Sequence, residues 1–287
     1  MFKSLKSYFV LFLLALIWGS SFILIKKGLL AYDYAQVAAL RLSLAFVSLL
    51  PFVFFAFKKV TYNQLPYLFV VGLFGNCIPA FLFSKSQILL DSSFVGVLNS
   101  LTPIFTLLIG FFFFRIKIFK RNILGIILGC LGVLFLFLSS NIYQAKLDYS
   151  ILFVVISTLC YAISLNVIKF KLASLRSVYI TSLAFLFIGP FTLYYLFTTD
   201  FLMIINTKEG LTAFKYIFIL SIIGTSFAVT LFNYLVKESS VIFASSVTYL
   251  IPLIALFWGF FDNEIIRQEY IYGLVFILFG VYLTKNN

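Results

Sequence analysis

The sequence predicts an all-α integral membrane protein of ten transmembrane helices, arranged as two inverted five-helix repeats. Composition, the lengths of the uncharged runs and an internal similarity lead to this. Of the 287 residues, 63% are hydrophobic and 10% charged, with a mean hydropathy of +1.13. Soluble domains hold about 45–50% apolar and about 25% charged residues, so a water-soluble fold of this size has no interior large enough for so much apolar surface. Most of the uncharged runs, among them 7–25, 60–84, 92–114, 122–145 and 177–199, reach the length of a spanning helix, roughly 17–25 residues. The alternation expected of outer-membrane strands is absent, whereas helices close their own backbone hydrogen bonds in lipid.

In chain order the spans are expected near 8–29, 36–57, 66–89, 94–114, 122–140, 151–170, 177–198, 213–236, 240–261 and 268–285. Lys3 and Lys6 precede the first apolar run, as in a signal peptide. The run is too long for one and lacks a small-residue cleavage site, so it is read as a retained helix. The net charge of +12 would suggest nucleic acid in a soluble protein, but here its distribution over the loops matters more. With the N-terminus inside, 13 basic residues fall on the cytoplasmic side, including Lys58, Lys59, Arg115, Lys117, Lys120 and Arg121, against 6 on the other. That bias places both termini in the cytoplasm. The expected partners are therefore the lipid bilayer of the cytoplasmic (inner) membrane and a small-molecule substrate, with no nucleic acid; the sequence sets no oligomeric state.

Residues 43–52, SLAFVSLLPF, and 182–191, SLAFLFIGPF, match at six of ten positions. The same order returns elsewhere: Gly75 aligns with Gly224, Pro103 with Pro252, and the segment around Gly132 with that around Gly280. The chain thus divides into a first repeat, 1–143, and a second, 144–287. Five helices per half force the second half to enter the membrane upside down, an arrangement typical of carriers that hold substrate near the midplane.

Leu16-Ile17-Trp18-Gly19-Ser20-Ser21-Phe22 with Lys26, then Ala39-Leu40-Arg41-Leu42-Ser43-Leu44-Ala45, resembles the opening of the EamA-type transporters of the drug/metabolite transporter superfamily. Tyr249-Leu250-Ile251-Pro252, Gly259-Phe260-Phe261-Asp262-Asn263-Glu264 and Gly273 through Gly280-Val281 resemble its close. The resemblance implies two inverted five-helix repeats and export or exchange of small metabolites, amino acids among them. One departure is visible: the acidic residue that resembles Glu264 commonly recurs in the family's first half, where this chain has Phe114-Arg115-Ile116.

A rise of about 1.5 Å per residue through roughly 30 Å of hydrocarbon places residues some ten positions into a span near its centre. This selects Trp18, Asn76, Asn99, Ser100, Tyr161, Thr225, Ser226, Thr248 and Tyr249 as a candidate substrate-binding belt. Hydroxyls and amides also join membrane helices to one another, so a packing role stays open for each. Lys26, Arg41 and Lys85 fall toward the outer ends of the first three spans. Lys26 and Lys85 can snorkel outward or serve as gating or vestibule residues. Arg41, lying deeper, is expected to meet Asp33, Asp91 or Glu264, as a structural ion pair or as part of a cationic exit vestibule with Glu264 as a gating residue.

Histidine is absent and no GxxxxGK[ST] loop occurs, which excludes His-based relays, His metal sites and an ATP-driven motor within the chain. All nine acids lie in loops or near helix ends, so a catalytic carboxylate pair within the membrane has no support. Cys77, Cys130 and Cys160 fall inside spans and are expected to pack as small apolar residues. No cofactor, metal or enzymatic activity is expected. The function expected is secondary transport of a small neutral or zwitterionic metabolite, outward or by exchange, through alternating access. The alternative is a non-transporting polytopic protein, such as a lipid-handling enzyme or an assembly factor.

Overall fold

The computed structural model describes residues 5–117, 119–139, 149–239 and 241–285. Over these residues the chain is helical, with no strand among them. The long helical stretches are α1 (Leu5–Gly28), α2 (Tyr34–Phe57), α3 (Tyr62–Ser86), α4 (Ser92–Phe114), α5 (Lys120–Ser139), α6 (Ser150–Lys171), α7 (Ser177–Phe197), α8 (Lys208–Glu238), α9 (Phe243–Phe261) and α10 (Gln268–Lys285). Eight of them, all but α5 and α10, are long and apolar enough to cross a membrane. Their outer surfaces agree: Phe54 is 75% exposed and Phe112 70%, which water would penalise over so large an area and lipid would not.

Helix ends follow local chemistry. Asp33 caps α2 in a reciprocal box: its Oδ1 accepts from the backbone N–H of Ala35 (2.7 Å) and Gln36 (2.8 Å), and Gln36 Oε1 accepts from Asp33 N (3.0 Å). Thr207 caps α8 in one direction only, its Oγ1 accepting from Gly210 N at 2.9 Å. These caps start α2 and α8 earlier than expected, since a helix does not end where the hydrocarbon does. Arg115 closes α4 in the left-handed region, φ 57°.

The two similar decapeptides lie on α2 and α7, which pack side by side. Ser43 Oγ donates to Thr192 Oγ1 (3.0 Å), and Ala45, Phe46, Phe185 and Ile188 share one buried cluster. Gly189 is required there, because a Cβ would overlap the Phe46 ring. α5 and α10 pack on each other. The boundary expected near residue 144 lies outside the described residues.

Four helices depart from α geometry at matching places. α3 contains a π turn at Leu73–Cys77 and α8 one at Ile222–Phe227. α4 tightens to a 3₁₀ turn at Asn99–Leu101 and α9 at Ser246–Tyr249, in each case just before a proline, Pro103 and Pro252. A proline has no N–H to give, and the ring crowds the preceding turn, which accounts for the altered winding on its N-terminal side.

Candidate functional site

α1, α2, α3, α4, α6, α8 and α9 enclose a central cavity of about 90 Å³. One buried water needs about 10–15 Å³ by the same measure, so the space suits a small solute rather than a lipid or a polymer. Of the nine belt residues, Trp18, Asn76, Asn99, Tyr161, Thr225 and Thr248 line it.

The π turns aim two of these. A π turn shifts the hydrogen-bond register from four residues to five. Asn76 Nδ2 donates to Val71 O (3.2 Å) and Thr225 Oγ1 to Leu220 O (3.0 Å), each five residues back. Gly75 allows α3 to approach α6, since a Cβ there would overlap Ser164. The Gly224 carbonyl in the second π turn accepts from Trp18 Nε1 at 3.0 Å, so the indole of α1 is fixed against α8. Its ring packs edge-on against Phe232 at 4.7 Å, and Phe83 stacks on Tyr161 at 5.8 Å. The walls are therefore aromatic, with a few placed amides and hydroxyls.

Three belt residues lie outside the lining. Ser100 Oγ donates to Thr248 O (3.2 Å), joining α4 to α9. Ser226 Oγ meets Ser48 Oγ (2.6 Å) and Ala45 O (3.3 Å) on α2, and Tyr249 packs against the core. Each directly follows a lining residue, and one step along a helix turns the side chain by about 100°, which at these three positions carries it out of the lining. Ser21, Thr102, Ser164, Asn233 and Ser245 line the cavity although they were not among the expected residues. Their signal was present: Ser21 follows Trp18 by three, Thr102 follows Asn99 by three, and Ser164 follows Tyr161 by three, the spacing that stacks side chains on one face.

The expectation for Arg41 is corrected. It meets neither Asp33, Asp91 nor Glu264; it is 8% exposed, lines the central cavity, and its Nε donates to Thr225 Oγ1 at 2.8 Å. The cavity lining therefore carries a formal charge, which none of the nine expected belt residues has. Counting along the axis gives the height of Cα, and an arginine side chain reaches several ångström beyond it.

The other outer cations are accounted for differently. Lys26 Nζ pairs with Glu264 Oε1 (2.8 Å) and Asp262 Oδ2 (2.7 Å), and Lys27 pairs with Asp262. Glu264 also accepts from Ser92 N (3.1 Å), Ser92 Oγ (2.6 Å) and Ser93 N (3.0 Å), capping α4 from the α9–α10 loop. Burial pushes the Glu264 carboxyl up, but Lys26 and the two serines outweigh it and hold it below the usual carboxylate range. This cluster ties together α1, α4 and the loop after α9. Lys85 lies over the rings of Phe153 (4.8 Å) and Tyr34 (5.5 Å). At the other end of the bundle Lys169 Nζ donates to the carbonyls of Lys237 (3.0 Å) and Ser239 (2.6 Å). Cys77 is half-buried and Cys160 buried, whereas Cys130 is exposed on α5, so the packing expectation is corrected for Cys130.

A bundle of apolar helices packed around a small, mostly apolar cavity with a few convergent polar groups defines a polytopic membrane protein with an internal cavity. The EamA-like transporter family matches the chain twice, over residues 5–138 and 148–285, and the protein belongs to that family. An uncharacterized transporter from Archaeoglobus fulgidus is 27% identical over 281 residues, covering 98% of this chain and 99% of that one. A solved crystal structure described only as that of a protein superposes with a TM-score of 0.67, over 98% of this chain and 96% of the other. At 12% identity, that likeness concerns the fold alone.

Proposed function

We propose that this membrane transporter works as an alternating-access secondary carrier that exports or exchanges a small neutral or zwitterionic metabolite. In this reading all ten helices cross the cytoplasmic membrane, residues 1–143 and 144–287 form two inverted repeats, and both termini are cytoplasmic. The observation that carries it is the pairing of irregular turns around the cavity. The π turns of α3 and α8 present Asn76 and Thr225, and the 3₁₀ turns of α4 and α9 present Asn99 and Thr248. A static bundle needs no such correspondence, whereas two halves that rock about a shared site need the same polar contacts and the same bending points in both. The separate family match to each half and the transporter relative support it. The Lys26–Asp262–Glu264 cluster would close the outer end, and the Lys169 contacts the inner one.

Purified protein in liposomes, screened for flux of amino acids and related small metabolites, tests the reading. Saturable accumulation of at least one solute is expected, abolished by filling the cavity through Thr248→Trp. Absence of flux in folded protein, or flux indifferent to that substitution, would defeat it.

A further inference from the structure

Arg41 is a buried cation with no anionic partner among the described residues. Among the described residues its one hydrogen bond is from Nε to Thr225, and no carboxylate lies within ion-pairing distance. Five of the nine acids lie elsewhere. Asp33 caps α2, Asp200 Oδ1 accepts from Gln36 Nε2 (2.7 Å), Asp262 and Glu264 hold Lys26 and Lys27, and Asp91 precedes α4 at its outer end. A guanidinium presents five N–H donors in a planar fork. Thr225 uses the Nε donor and, by donating its own hydroxyl proton to Leu220 O, is itself held in place; the terminal nitrogens remain for the cavity. An unpaired charge inside a membrane protein is expensive, and it is kept where it faces a water-filled space or a ligand.

We propose that Arg41 seats a carboxylate: the cavity binds a small organic solute bearing a single carboxylate group, with its apolar remainder against Trp18, Phe83 and Phe232. The planar fork matches a carboxylate in two parallel hydrogen bonds, which a lysine cannot reproduce. A phosphate ester would bring a second negative charge, and no other cation lines the cavity. Asn76, Asn99 and Thr248 supply neutral donors and acceptors around the solute. The inference rests on the carrier reading and revises its substrate to solutes bearing one carboxylate, with zwitterions retained and solutes lacking a carboxylate set aside. Thr225 is a positioning residue, acting through Arg41.

The test uses full-length protein with Cys77, Cys130 and Cys160 replaced and Asn99→Cys introduced, labelled by anionic sulfonatoethyl and cationic trimethylammonium-ethyl methanethiosulfonate. Rates are normalised to a free thiol in solution. The anionic reagent should gain over the cationic one by about tenfold or more, the scale of a unit charge a few ångström away at intermediate dielectric. That preference should vanish in Arg41→Gln and persist in Arg41→Lys. Propionate should slow labelling, and isosteric propionamide should not. No preference with Arg41 present, a preference unchanged in Arg41→Gln, or equal or absent protection by the two competitors would overturn the proposal. Should Arg41→Gln fail to fold, the propionate comparison on the arginine-bearing protein decides alone. Labelling from one side only under every condition would defeat alternating access and leave the charge preference standing; loss of the preference with labelling from both sides would do the reverse.

Discussion

Trp18 holds two helices together through one N–H. Its indole donates to the Gly224 carbonyl in the π turn of α8. Trp18→Phe keeps an aromatic ring against Phe232 and removes that hydrogen bond, an effect of about 0.5–1.5 kcal/mol. A lowered unfolding midpoint in detergent is expected, and an unchanged one would show that the bond contributes nothing. At this scale the sequence was legible where depth alone decides: Trp18, Asn76, Asn99, Tyr161, Thr225 and Thr248 were found by counting along their spans. Counting could not give rotation or reach, so Ser100, Ser226 and Tyr249 were included and the inward reach of Arg41 was missed.

Between elements, the most consequential contact is the Glu264 carboxylate at the N-terminus of α4. Its side chain is 1% exposed and bonded to Lys26, Ser92 and Ser93. Because those partners depress its pKa, its contribution is fully present above the unfolded value of about 4.3. It is lost as pH falls further, through the lower folded value. Thermal stability of the native protein should therefore fall as pH drops below the ordinary carboxylate range, and Glu264→Gln should lower stability at neutral pH while flattening that acid dependence. A variant equally acid-sensitive would assign the effect to another group.

The π turns make a second element-scale test. A Cβ at Gly75 would overlap Ser164, whereas one at Gly224 meets Ser21 Oγ at 3.1 Å and Leu220 Cδ1 at 3.2 Å, side-chain atoms that can give. Gly75→Ala should lower stability more than Gly224→Ala, within the roughly 1–3 kcal/mol of overpacking, and Ser164→Ala should restore part of the loss. Equal effects at the two glycines would contradict the packing described. The positions of both glycines were readable in the sequence, but not the π register: Pro79, which lacks a backbone N–H, follows the turn in α3, whereas no proline follows the one in α8.

For the whole molecule, the lipid-facing helical architecture was the most legible feature, since it follows from hydropathy and span length, which no tertiary detail can alter. Side-to-side orientation rests on loop charges, so reporter fusions at residues 58–65 and 115–121 should report the cytoplasmic side, as should both termini. A fusion in 141–150 reporting the same side as 115–121 would reverse the inverted-repeat reading. The most direct test of the central claim, that one cavity opens in turn to each side, places single cysteines at Asn76→Cys and Thr248→Cys in transport-active protein lacking Cys77, Cys130 and Cys160. Membrane-impermeant thiol reagent should label each from either side, with transported solute shifting the balance between the two sides. Labelling fixed to one side, or absent from both, in active protein would contradict the account.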